Sequence, residues 1–144
     1  MNLHSNVTST QQFSTFIVDN LLFGIDVLKV QEVLRCQEMT KVPLAPPEVE
    51  GLINLRGQIV TAIDARRLLQ LPARTQEAKP MNMVIRGDGG PVSLLVDDIG
   101  DVIEVASDLF EPAPDNMPRS QIELLKGVFK LEGRLLLVLN TDSL

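Results

Sequence analysis

Side-chain catalysis needs a poised nucleophile, a base or a metal set, and this sequence of 144 residues offers few of these. Its only histidine is His4 and its only cysteine is Cys36, so soft ligands cannot assemble a zinc cluster. A Cys36–His4 dyad would require the polar N-terminus to fold back onto the domain by chance. The densest carboxylates, Asp97, Asp98, Asp101 and Glu104, lack the spaced oxygens, central Gly and terminal Glu of a calcium loop, and read as a solvated strand end or partner-facing rim. Gly87-Asp88-Gly89-Gly90 lacks the Gly-Lys-Ser/Thr ending of a phosphate loop and reads as a hairpin turn. Arg66-Arg67 reads as a solvated helix face. A small hydrolase built on Asp64 or Asp97 would have no visible base partner. The sequence therefore predicts no enzyme, no metal and no cofactor.

Composition narrows the partners. Thirteen basic against nineteen acidic residues give a net charge of −6, the wrong sign for affinity won by neutralising phosphates. The aromatic fraction is 3%, five Phe with no Trp or Tyr, too little to stack bases. A tandem small-barrel RNA-binding protein, the alternative from another functional class, would need a basic stripe with interleaved aromatics. Charge is also uneven: Arg35 to Arg86 carries eight basic residues, whereas Gly87 to Glu123 carries nine acidic residues and only Arg119. Two differently charged faces suit protein partners. Cys36 beside Val33 and Leu34 reads as a small buried hydrophobe in a reducing cytoplasm. The N-terminus has no basic-then-apolar pattern, and no apolar run approaches the ~18 residues of a membrane span, so the chain reads as cytoplasmic.

Residues 1–12, rich in Asn, Ser, Thr and Gln, read as a flexible tail, and 13–144 as one domain. Phe13 to Val18 and Leu21 to Val27 are strand-like runs joined by an Asp19-Asn20 hairpin turn. Val27, Val30, Val33 and Leu34 suggest one helical turn feeding a strand. Lys41 to Pro47 holds three prolines and reads as an extended crossing segment. Two more strands, Leu52 to Leu55 and Gln58 to Ile63, flank the Arg56-Gly57 turn, and Asp64 caps a short helix, Ala65 to Leu71.

The second half repeats this plan. A shift of 69 positions carries Phe23, Ile25, Val27, Val30, Val33 and Leu34 onto Val92, Leu94, Val96, Ile99, Val102 and Ile103. A shift of 76 carries Gly51-Leu52-Ile53-Asn54-Leu55-Arg56-Gly57 onto Gly127-Val128-Phe129-Lys130-Leu131-Glu132-Gly133, with Gly57 and Gly133 as the structural turn residues. The fold expected is all-β with short helices: two pseudo-symmetric five-stranded β-barrels packed together, subdomain 1 over about 13–72 and subdomain 2 over about 80–140. The groove between them is the expected place for a partner. Arg56 stands out because the matching turn carries Glu132, so the turn needs a polar residue there but not an arginine.

Gly24-Ile25-Asp26-Val27-Leu28-Lys29-Val30-Gln31-Glu32-Val33, then Gly51 to Gly57, then Leu94-Leu95-Val96-Asp97, form an ordered set that resembles the CheW family of bacterial chemotaxis coupling proteins, from about Phe13 to Leu144. The resemblance implies two SH3-like barrels and a non-enzymatic adaptor. Such a protein couples the cytoplasmic hairpin tip of a chemoreceptor to the regulatory domain of a CheA-type histidine kinase, in membrane-associated arrays that can include other CheW-like domains. It implies receptor binding through Val30, Glu32, Arg56, Ile99 and Val102, with Val30 and Ile99 exposed to a groove. It places kinase contact near Met39, Thr40, Val42, Leu44, Val49 and Gly51. Where the family commonly has aspartate-leucine-arginine, this chain has Asp64-Ala65-Arg66, which thins the first core. Neither nucleic acid nor membrane insertion is implied, and a monomer is expected from the short, proline-guarded edges.

Overall fold

The computed structural model describes residues 9–75 and 78–144, and His4 lies outside them. The described strands are β1 (Thr10–Val18), β2 (Leu21–Asp26), β3 (Val30–Leu34), β4 (Val49–Leu55), β5 (Gln58–Asp64), β6 (Met81–Gly87), β7 (Gly90–Val96), β8 (Asp98–Ala106), β9 (Phe110–Glu111), β10 (Leu125–Leu131) and β11 (Arg134–Leu139). Two single-turn helices, α1 (Ala65–Leu68) and α2 (Arg119–Ile122), join them. β1 already begins at Thr10, ahead of the apolar run, so residues 10–12 belong to a strand and not to a tail. Asp19 and Asn20 take positive φ of 51° and 64° in the β1–β2 hairpin, as a primed two-residue turn requires. Gly87 pairs with Gly90 across the β6–β7 hairpin.

One sheet has the order β8-β1-β2-β11-β10-β9 and the other β3-β6-β7-β5-β4. Neither is half of the sequence, which corrects the contiguous subdomains 13–72 and 80–140. The repeats are real, but each gives its third strand away: β3 pairs antiparallel with β6, and its counterpart β8 pairs with β1. The redirection is local. The Asp26 carboxylate accepts the Leu28 amide at 3.0 Å and starts a 3-10 turn, Val27–Lys29, that lifts the chain out of the sheet containing β2. The closing pairs are parallel and equivalent, β11 with β2 and β5 with β7.

The six-stranded sheet exceeds the expected five by β9, whose Phe110 and Glu111 pair with Phe129 and Val128. In the other sheet the same edge position is taken by a single bridge between Thr40 and Leu52, made by two backbone hydrogen bonds of 2.9 and 2.8 Å. Both crossings run over a glycine. A Cβ on Gly51 would lie 2.7 Å from the Thr40 carbonyl oxygen, and one on Gly127 would meet the Phe110 ring and the Glu111 carbonyl oxygen.

Three apolar clusters result. The largest joins the two sheets and contains Phe16, Phe23, Ile25, Ile63, Met83, Ile85, Leu94 and Val96. Ala65 is buried there too, at the place where a leucine was expected. The second cluster lies inside the six-stranded sheet, where Phe13, Phe129 and Phe110 pack with ring centroids 5.5 and 5.2 Å apart. The third lies inside the five-stranded sheet and has no aromatic ring, being built on Ile53, Leu55, Val60, Val84 and Leu95. The counterparts of Phe13 and Gly24 on that side are Asn82 and Ser93, fully buried and hydrogen-bonded to each other at 2.9 Å. A polar pair thus replaces ring volume in one barrel, while Gly24 makes room for the ring in the other.

Candidate functional site

The β4–β5 turn is built to hold Arg56. Asn54 Oδ1 accepts the Gly57 amide at 2.9 Å, and Arg56 and Gly57 both take positive φ, 52° and 87°. A side-chain acceptor at Asn54 stabilises this primed turn against the cost of a left-handed arginine. The matching turn has Lys130 instead of Asn54, so it has no such acceptor, and there only Gly133 has positive φ. The two turns are therefore equivalent in the repeat but not in geometry. Arg56 Nη2 donates to both carboxylate oxygens of Glu32 on β3, with the Oε2 contact at 2.6 Å. Glu32 is 21% exposed and Arg56 71%, so the pair ties the turn to the edge strand and leaves the guanidinium accessible. The Glu32 hydrogen bond, followed by its charge, raises the Arg56 pKa further above its ordinary value. Removing the turn acceptor with Asn54→Ala is expected to cost about 1 kcal/mol in urea unfolding, the usual contribution of one such hydrogen bond.

The structure brings Glu32 and Arg56 together but places Val30 and Ile99 differently from expectation. Both are only half-buried and pack against the cluster that joins the sheets, Val30 opposite Ile85 and Ile99 opposite Phe16. A bulge at Gln31 explains the change of face along β3: Val30 turns to the shared core, while Glu32 lies opposite Val84 of the barrel cluster. Val102 is 56% exposed on β8. β3 and β8 are both edge strands.

The segment from Met39 to Gly51 is mixed. Gly51 is buried under the Thr40 crossing and serves packing, which removes it as a contact residue. Met39 packs on the five-stranded cluster, Val49 is half-buried on β4, and Thr40 and Val42 are exposed. Leu44 is fully exposed and has φ of 62°. It stands third in a turn closed by Ala45 N–H donating to the Val42 carbonyl at 3.4 Å, with Pro43 fixing the second position.

Sequence reasoning missed an ion-pair network at the far end of β5 and β7. Arg66 is not a solvated face residue: it is 16% exposed, and its Nε and Nη2 reach Asp97 at 3.0 and 2.7 Å. Asp97 is likewise no open rim, since it also accepts the Asp19 amide at 2.8 Å. Arg74 lies 3.4 Å from Asp97 and 3.7 Å from Asp64, and Arg67 lies 3.1 Å from Glu50. Asp98, Asp101 and Glu104 remain exposed. Cys36 is exposed as well, because β3 has ended and the chain runs outside the barrel there.

Burial pushes the Asp97 carboxyl up, but the Arg66 hydrogen bonds, the Asp19 amide and the charges of Arg66 and Arg74 together hold it below its ordinary value. A depressed folded pKa gives stability that is complete above the unfolded value of about 3.9 and is lost as pH falls through the folded one. Asp97→Asn is therefore expected to cost about 2 kcal/mol at neutral pH and to flatten the acid limb of the melting-temperature profile.

Among the described residues, no three His, Cys, Asp or Glu side chains are grouped to hold a metal, and no helix is long and apolar enough to cross a membrane. The family model for the CheW-like domain matches residues 12–144. The chain is 30% identical over 137 residues to the chemotaxis protein CheW of Klebsiella aerogenes, covering 95% of this chain and 82% of the relative. It is 27% identical over 139 residues to the chemotaxis protein CheW of Bacillus subtilis, covering 96% and 89%. Among solved structures, the scaffolding protein TtCheW from Thermoanaerobacter tengcongensis superposes with a TM-score of 0.83 at 24% identity, covering 93% of this chain and 91% of that one. That likeness supports the fold of two SH3-like units.

Proposed function

The chain belongs to the CheW-like domain family, and on that premise we propose that it is a non-enzymatic adaptor coupling chemoreceptor cytoplasmic tips to a CheA-type histidine kinase. The observation that carries this reading is the Asn54–Arg56–Glu32 arrangement. A left-handed arginine, 71% exposed, tied to Glu32 and set in a turn whose Gly57 amide donates to Asn54, is a preorganised charge that core packing does not require. Receptor contact falls to Arg56, Glu32 and Val102, with Val30 and Ile99 shaping the ground beneath them. A receptor helix would lay apolar side chains against Val102 and set its register on the ion pair. Kinase contact falls to Val42 and Leu44 with Met39, Thr40 and Val49 behind them, and other CheW-like domains are further array partners. The protein would act in the cytoplasm and be recruited to membrane-associated receptor arrays.

Calorimetric titration with the regulatory domain of a CheA-type kinase, followed by a receptor signalling fragment, tests the role directly. Saturable binding of both in one ternary complex is expected, and binding of neither would reject it. Arg56→Glu is expected to leave the melting temperature nearly unchanged, as for other exposed ion pairs, while weakening receptor engagement about tenfold. Unchanged kinase control by that variant would remove Arg56 from the site.

A further inference from the structure

β3 and β8 carry the same irregularity at the same place in the repeat. On β3, Val30 lies opposite Ile85 and Val33 opposite Met83, so Gln31 and Glu32 together face Val84 alone. On β8, Ile99 lies opposite Phe16 and Val102 opposite Ser14, so Gly100 and Asp101 together face Thr15 alone. Two residues against one is a β-bulge, and it changes which side chains share a face. Ile99 and Val102 are three positions apart, and on a regular strand they would point to opposite faces. With the bulge they point the same way, as their partners Phe16 and Ser14 do on β1. The bulge therefore joins the half-buried Ile99 and the 56% exposed Val102 into one surface at the edge of the core between the sheets.

The two bulges are held by different means. On β3 the second bulge residue is Glu32, and Arg56 grips its carboxylate. On β8 the counterparts of those two residues are Asp101 and Glu132, both acidic, so they cannot form an ion pair. There the hold comes from β1. Thr15, 2% exposed, donates its hydroxyl to the Asp101 backbone carbonyl, whereas its counterpart Val84 has no hydroxyl to give. Gly100 completes the fit: a Cβ there would collide with Thr15 Oγ1, while the matching position on β3 carries Gln31. Gly100 does not take positive φ, so its backbone suits any residue and only the space for the hydroxyl calls for glycine.

We propose that Thr15 is a positioning residue of the receptor surface: its hydroxyl fixes the Gly100–Asp101 bulge, and the bulge presents Val102 beside Ile99. Being buried, Thr15 acts only through β8. The inference rests on the receptor contact proposed above for this strand.

Thr15→Val keeps the shape of the side chain and removes the hydroxyl, and the fully buried Val84 shows that valine fits opposite such a bulge. The full chain carrying Thr15→Val is expected to bind a receptor signalling fragment about tenfold more weakly by calorimetry, the loss of one apolar anchor. Its affinity for the regulatory domain of a CheA-type kinase should stay at the parental value. Its amides at 100–102 are expected to exchange with solvent about tenfold faster than the parent's, with those at 31–33 unchanged. Thr15→Ser retains the hydroxyl and should bring affinity and exchange back to the parental values. Gly100→Ala, which takes the hydroxyl's place from the exposed side of β8, should repeat the Thr15→Val result without altering the core. Parental receptor affinity in Thr15→Val and Gly100→Ala despite faster exchange on β8 would overturn the positioning role and leave the receptor reading standing. Parental exchange in both would overturn the lock, and so would an equal loss of receptor and kinase affinity, which marks general destabilisation. A parent chain that binds no receptor fragment would reject the reading on which the proposal rests, a failure seen before any substitution is made.

Discussion

Leu44→Asp is expected to weaken binding to a CheA-type regulatory domain by about 2 kcal/mol, roughly thirtyfold, without lowering the melting temperature. The two halves of this expectation come from one geometry. Leu44 is fully exposed, so truncating it removes no packing from the fold. Its φ of 62° costs a leucine about 1–2 kcal/mol, a cost that aspartate and asparagine carry more lightly. Pro43 on one side and Pro46-Pro47 on the other limit the freedom of the segment, so the apolar side chain is presented at little further entropic loss on binding. Leu44→Asn separates charge from shape: it should match Leu44→Asp in stability and lose most of the same affinity. If both variants bind the kinase domain like the parent chain, the Val42–Ala45 turn is not the kinase contact. Calorimetry and thermal melts on the same preparations read both quantities.

What was legible in the sequence was mostly short-range. Asp19-Asn20, Arg56-Gly57 and Gly87 to Gly90 are hairpin turns because the residues that permit positive φ sit beside one another. Asp64 caps α1 through the Arg66 amide at 2.9 Å for the same local reason, and three prolines keep 41–47 out of both sheets. The duplication was legible too, but a repeat identifies equivalents and not partners. It could not say that β3 would leave β1 and β2 to pair with β6, since that choice is decided by burial of the shared core around Phe16 and Met83. Arg66 and Asp97 read as separate solvated charges because 31 positions divide them, and only the parallel pairing of β5 with β7 brings them together. Glu32 and Arg56 were joined by family resemblance, whereas the reason for Asn54 emerged only with its bond to the Gly57 amide. Cys36 was misjudged because apolar neighbours in sequence do not fix which way the chain leaves a strand.

The swapped duplication makes the two crossing glycines a matched pair, and replacing each with alanine tests the crossings separately. Gly127→Ala is expected to cost about 3 kcal/mol and Gly51→Ala about 2 kcal/mol, near the upper range for overpacking a tight site. Gly127 is the worse position because its Cβ meets both the Phe110 ring and the Glu111 carbonyl oxygen, and Phe110 is held in turn by Phe129. At Gly51 the main obstacle is backbone, the Thr40 carbonyl oxygen at 2.7 Å, with Met39 Cβ next at 3.1 Å. Shortening the side chain above each glycine should therefore act differently. Phe110→Leu should recover part of the loss in Gly127→Ala, whereas Met39→Ala should recover little in Gly51→Ala, since removing a side chain does not move the Thr40 carbonyl, which accepts the Leu52 amide while the Thr40 amide donates to the Leu52 carbonyl. Urea unfolding of the four variants reads these differences. Function divides the pair again: displacing Thr40 also displaces the segment that ends in Leu44, so Gly51→Ala should lose kinase affinity under conditions where it remains folded, and Gly127→Ala should keep it. Equal kinase affinity in the two folded variants would mean that the Thr40–Leu52 crossing does not position the Leu44 turn.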